Sequence, residues 1–168
     1  MSYQEKRTIV SIITGALILG AYCTYAYGKY QPGTIATDDM KFWAGTMLMF
    51  IGIGIAANIV IQIVFHILLS VAIAVQANVK NGKCDDKEIE NAISAEMVTD
   101  EMDNLIELKS MRIGFIVAGI GFIAALVSLI LDYSFSVMIN ILFIAFSAGS
   151  LFEGFTQIFF YKKGVKNG

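Results

Sequence analysis

Phe135–Tyr161 reads FSVMINILFIAFSAGSLFEGFTQIFFY, an apolar run of membrane-spanning length with one carboxylate, Glu153, inside it. Asn140, Ser147, Ser150, Glu153 and Gln157 are spaced 7, 3, 3 and 4 apart, so a helix puts them on one face. The opposite face is Ile, Leu and Phe, suited to lipid or to neighbouring helices. An acid inside a bilayer is costly, and by default it marks a site of function.

The rest of the chain has the same character. Of its 168 residues 57% are hydrophobic and 15% charged, and the mean hydropathy is +0.69, above a soluble globular balance. The charges crowd into a few stretches and leave others bare, as in a polytopic membrane protein of one domain. A formal net charge of −2, with no basic cluster, argues against nucleic acid as a direct partner. One His and two Cys exclude a multi-His or multi-Cys zinc site and a CxxC redox pair, so no metal and no cofactor is expected. Cys23 falls in an apolar segment and Cys84 in a polar loop; both are read as free thiols.

Four spans are expected. The first, 8–28, follows Lys6 and Arg7; it is too long for a signal-peptide core and is followed by no A-x-A site, so it is read as retained. Tyr22, Tyr25, Tyr27 and Tyr30 gather at its far end, where amphipathic rings favour the interface. Gln31-Pro32-Gly33 signals a turn. The second apolar run, Phe42–Ala77, would be about 54 Å long as one helix against a hydrocarbon core of about 30 Å. It is read as a span over 42–66 with a cytoplasmic extension to 80, closed at Asn81-Gly82. Residues 82–112 form a cytoplasmic helical connector: Asp85 caps a helix, Ile89, Ile93, Met97, Met102, Leu105, Ile106 and Met111 give it an amphipathic pattern, and Thr99-Asp100 divides it in two. The third span is 113–131, with small-xxx-small pairs Gly121/Ala125 and Ala124/Ser128. After the turn Asp132-Tyr133-Ser134 the fourth span covers 135–161. The fold class is thus an all-α integral membrane protein, four transmembrane helices in two hairpins.

Lys and Arg set the orientation. With both termini cytoplasmic, ten basic residues lie inside and only Lys29 and Lys41 outside, which places a multi-pass protein in the cell membrane. The two halves also match locally. Ala57–Phe65 aligns with Phe152–Phe160, so that Asn58 answers Glu153 and Gln62 answers Gln157, as in a parallel internal repeat.

Two clusters are candidates for function. Glu153, Gln157, Asn58 and Gln62, with His66 and Asn140, could form an intramembrane binding site for a proton, a cation or a small ligand. The competing reading is interhelical packing, with amides satisfying the acid. Asp100, Glu101, Asp103 and Glu107 form an acidic motif that reads either as a divalent-cation site or, more simply, as a capped helix start favoured by the helix dipole. Two G-x-G-x-x-A matches, at Gly52–Ala57 and Gly119–Ala124, lie inside spans and lack the strand and exposed helix start that a dinucleotide site needs. No nucleophile–base pair or phosphate loop is present, and an enzyme is not expected.

The stretch Thr99–Gly114, TDEMDNLIELKSMRIG, resembles the signature D-E-R-D-x-x-I-x-x-[KR] that precedes the third span in a family of small four-helix prokaryotic membrane proteins of uncharacterised function. Asp100, Glu101, Asp103, Ile106 and Lys109 match, and Met102 stands where the family has Arg. The likeness covers the second half best and the first half in layout only. It implies the four-helix architecture and, since such proteins are often encoded beside a helix-turn-helix regulator, a regulatory setting. Two functions are therefore expected to compete. One is a regulatory or sensory partner, a non-enzymatic membrane protein that holds a regulator or another membrane protein on its cytoplasmic helical hairpin. The other is a small homodimeric transporter or ligand-binding protein that uses Glu153.

Overall fold

The computed structural model describes residues 3–30, 39–81, 91 and 100–164, with side chains described except at 30 and 76–81. The expected Gln31-Pro32-Gly33 turn, Cys84, the closure at Gly82, the Asp85 cap and the connector's apolar stripe up to Met97 lie outside these residues. Among the described residues all regular structure is helical: α1 (Tyr3–Tyr30), α2 (Met40–Asn81), α3 (Glu101–Ile130) and α4 (Phe135–Lys163). Each is long and apolar enough to cross a membrane.

α1 and α3 begin well before the spans read from sequence, while α2 covers its expected span and extension as one helix. α2 runs unbroken for 42 residues, about 63 Å, because nothing between Phe42 and Asn81 can stop it. α3 starts at Glu101 and continues without a break into the apolar span. The acidic motif is therefore the first turn of a membrane-length helix, not part of a separate short one. No Gly or Pro lies between Asp100 and Gly114 to interrupt it. Asp100 is its N-cap: its Oδ1 accepts from the Asp103 amide at 2.7 Å, and Asp103 Oδ2 accepts from the Asp100 amide at 3.1 Å, a reciprocal capping box.

α3 and α4 are joined by a turn with a defined mechanism. The Tyr133 amide donates to the Ser128 carbonyl and the Asp132 amide to the Leu129 carbonyl, the two bonds of a Schellman motif. Asp132 takes the left-handed position at φ 60°, where a short polar side chain is the usual substitute for glycine. The chain then doubles back, and α4 packs along α3 on a strip of small residues. Gly114, Ala118, Ala125 and Ser128 on α3, with Ala145 and Gly149 on α4, are buried there. At the crossing of Gly114 and Gly149 the backbones touch: a Cβ on Gly149 would stand 2.7 Å from the Gly114 carbonyl oxygen, and one on Gly114 would stand 2.9 Å from that of Gly149. Of the two expected small-residue pairs, Gly121/Ala125 lies on this strip, Gly121 directly against Ala145. Ala124 is exposed and does not take part. It sits about a hundred degrees round the helix from its neighbour Ala125, and only one of them can face α4.

α1 lies against α4 and α2, and α2 also touches α4. The core at this side is aromatic. Tyr22 is fully buried, edge-on to Phe50 at 5.2 Å and stacked on Phe143 at 3.9 Å between ring centroids. The sequence reading put Tyr22 in an interfacial belt. Instead its hydroxyl donates to Asn140 Oδ1 at 2.8 Å, so a polar partner on α4 allows the ring to be buried. Tyr27, by contrast, is exposed. The matched segments of α2 and α4 do face one cavity, but the two halves are packed unequally: α1 and α2 share no strip like that between α3 and α4, and α2 leaves Ile59, Val60, Ile63, Val64, Ile67 and Leu68 exposed.

Candidate functional site

The end of the bundle that carries Tyr3 and Lys163 encloses a cavity of about 250 Å³ walled by all four helices. α4 contributes Ser150, Glu153, Gln157 and Tyr161, and α2 contributes Asn58 and Gln62. These are the positions that the 3- and 4-residue spacings put on common faces. Asp103 and Glu107, one turn apart at the start of α3, line the same space. Asp103 and Glu107 of the acidic motif thus share one space with Asn58, Gln62, Glu153 and Gln157 of the other cluster.

Sequence reasoning missed the wall supplied by α1. Gln4, Arg7, Thr8 and Ser11 face the cavity at successive 3- and 4-residue steps. Arg7 Nε donates to Gln62 Oε1 at 2.9 Å, and the Thr8 hydroxyl donates to Gln157 Oε1 at 3.0 Å. Those bonds tie α1 to α2 and to α4, and the one from Arg7 fixes which way the Gln62 amide points; the Thr8 hydroxyl also reaches the Gln4 carbonyl at 2.9 Å. In the sequence Arg7 serves as an orientation signal, and its spacing of 3 and 4 residues from Gln4 and Ser11 is the clue to its place in this wall.

The acids are not equivalent. Both oxygens of Asp103 are engaged: one holds the capping box and the other accepts from the Tyr161 hydroxyl at 2.9 Å. Asp103 therefore fastens the start of α3 to the end of α4. Glu107 and Glu153 have no hydrogen-bond or ion-pair partner among the described residues, and they lie near enough to repel as anions. Glu153 is held against Gly114, where a Cβ would stand 3.3 Å from its Oε2. Asp100 caps α3 and Glu101 is exposed on its first turn; neither lines the cavity.

His66 and Asn140 fall elsewhere. His66 is exposed, edge-on to Tyr3 at 6.5 Å between ring centroids, in a shallow depression beside the cavity that shares Arg7 and Gln62 with it. Asn140 sits deep in the bundle, donating to the Ser136 carbonyl at 2.7 Å while it accepts from Tyr22. Among the described residues no group of three His, Cys, Asp or Glu is placed to hold a metal ion, and Cys23 is free and exposed.

A second cavity, of about 190 Å³, continues inward from the first. The two share Ser11, Gly15, Asn58 and Ser150. Its further walls are Ile18, Ile51, Phe50 and Phe143 together with Thr14, Gly54 and Ser147, so it is largely apolar and ends on the aromatic layer around Tyr22.

Fold and cavity together define the class: a bundle of four membrane-length helices with a charged chamber at one end and an apolar one behind it. Compared with family models, with curated proteins and with solved structures, the chain matches none of them.

Proposed function

We propose that this chain is a non-enzymatic multi-pass protein of the cell membrane that binds a small solute at Glu153, as a small transporter or ligand receptor. The observation that carries the reading is the cavity of about 250 Å³ in which Glu107 and Glu153 face open space with no partner among the described residues. Acids that served only as packing glue would be satisfied by neighbouring amides, yet among the described residues neither Glu107 nor Glu153 accepts a hydrogen bond from Asn58, Gln62 or Gln157. The excess of Lys and Arg near the cavity end supports cytoplasmic termini, with the helices paired as two hairpins and the chamber opening inward. Four helices enclose little volume, and the exposed apolar face of α2 supports work as a homodimer within the bilayer.

Carbodiimide labelling of the purified protein tests this. Modification is expected at Glu153, falling as pH rises, with the Glu153→Gln protein unlabelled at that position by mass spectrometry. No labelling of Glu153 at any pH would mean that the acid is sealed in packing.

A second reading has its own observation. α2 continues to Asn81, with Ile67, Leu68, Val71 and Val75 exposed along it. This supports a platform, completed by the connector 82–112, on which a regulator or another membrane protein would dock. The likeness of Asp100–Lys109 to the prokaryotic family signature agrees with that setting. Photo-crosslinking from Leu68 and Val71 in native membranes is expected to capture a partner chain; self-crosslinks alone would sink this reading.

A further inference from the structure

We infer that the ligand is a monovalent amphiphilic cation, an alkylammonium- or guanidinium-type molecule with a short hydrocarbon tail. The head would lie between Glu107 and Glu153, and the tail would run into the inner chamber toward Phe50 and Phe143. This rests on the reading of Glu153 as a solute site, and it adds the chemistry of the solute.

Three features select that chemistry. The first is charge. The outer chamber is lined by the carboxylates of Asp103, Glu107 and Glu153 against the single cation Arg7, a net negative set in which Asp103 is tied to the capping box and Tyr161 and Arg7 to Gln62. What remains open is a pair of carboxylates, which attracts a cation and repels an anion. The second is donor geometry. Among the described residues no third acid or imidazole is placed to join Glu107 and Glu153 in holding a metal, Asp103 being turned to its cap and Tyr161, and two carboxylates make a poor cage for a hard divalent ion, which takes six or more oxygens. An N–H cation needs fewer contacts and can share the hydroxyls of Ser11 and Ser150 at the junction of the chambers.

The third is the inner chamber itself. It is continuous with the outer one and carries no ionisable side chain. Beyond the shared residues its walls are mostly apolar, Ile18, Ile51, Phe50 and Phe143, with Gly54, Ser147 and Thr14, whose hydroxyl is turned back onto the Val10 carbonyl. A charged solute without a tail would leave it unfilled, and an apolar solute without a charge would leave the carboxylates unpaired. A head and tail in one molecule satisfies both.

The test is binding of n-alkylammonium ions, methyl to octyl, to the purified full chain in nanodiscs by isothermal titration calorimetry, with n-alkanols and n-alkylsulfonates of matching length. Ammonium affinity is expected to rise about fourfold per methylene until the chamber is filled, since each buried CH₂ contributes about 0.8 kcal/mol. Glu153→Gln should lower hexylammonium affinity at least tenfold. Gly54→Leu should flatten the chain-length series: a Cβ there meets only Ile18, at 3.8 Å, and the added side chain would occupy the inner chamber. Ser147→Leu fills the same space from α4 if the first variant folds poorly.

Equal affinity for methyl- and hexylammonium would overturn the tail assignment and leave the Glu153 site standing. Alkanols or sulfonates binding as well as the ammonium ions would overturn the cation assignment. If no alkylammonium binds while Glu153 still takes carbodiimide, the inference fails alone; if Glu153 is also unlabelled, the underlying reading fails with it.

Discussion

Replacing Gly149 by alanine is expected to destabilise the protein by about 1–3 kcal/mol, the cost of overpacking a contact that cannot relax. The added Cβ would meet the Gly114 carbonyl oxygen at 2.7 Å and the Ala118 amide nitrogen at 3.5 Å. Both are backbone atoms of α3, so no rotamer change clears them and the two helices must separate. Gly114→Ala should cost a similar amount from the other side, and should also displace Glu153, whose Cβ lies 3.1 Å from the new methyl. The two substitutions should not add: once either has parted the helices, the second meets little resistance. Gly119 is the control, on the same helix but with nothing within 4 Å of a Cβ, and alanine there should be harmless or mildly helix-favouring. Thermal unfolding in detergent reads all four proteins. If Gly149→Ala unfolds at the same temperature as Gly119→Ala, the close α3–α4 crossing is not a feature of the folded state.

Tyr22→Ala should be costlier still, about 3–5 kcal/mol, as for other buried aromatics cut back to a methyl. Tyr22 is fully buried, and it supplies both the ring between Phe50 and Phe143 and the hydroxyl that satisfies Asn140. Tyr22→Phe separates these roles. It keeps the ring and loses one hydrogen bond, which inside a membrane bundle averages about 0.6 kcal/mol. The Asn140 amide keeps its bond to the Ser136 carbonyl in either variant. A large gap between Ala and Phe is therefore expected in the same unfolding measurement. Equal losses would mean that the aromatic layer contributes little and the hydroxyl almost everything.

Much of this architecture was legible because membrane helices announce themselves by length and apolarity, and because a helix repeats every 3.6 residues. Glu153 with Gln157, and Asn58 with Gln62, could be placed on faces for that reason. What periodicity lacks is the rotation and register of one helix against another. Arg7 and Thr8 reach Gln62 and Gln157 across helix boundaries, and nothing in their own spacing names those partners. Asp103 and Glu107 looked remote from Glu153, although the short turn at Asp132–Ser134 held the clue. Equal steps back from Tyr133 along both helices bring Asp103 to the neighbourhood of Tyr161, where the structure finds it. Tyr22 was misjudged because an interfacial tyrosine and a buried one differ only in whether a partner such as Asn140 is opposite.

The bond between Asp103 and Tyr161 links the solute chamber to the proposed docking platform. Asp103 belongs at once to the cap that begins α3, within the stretch 82–112 read as the connector, and to the mouth of the chamber that Tyr161 lines. A protein gripping the connector would pull on that cap, and a solute settling beside Glu107 and Glu153 would press on its other side. Allosteric coupling of this kind is reciprocal in free energy: whatever factor the solute imposes on the partner's affinity, the partner imposes on the solute's. A receptor and a docking platform would then be two ends of one equilibrium, with a single carboxylate as the shared component.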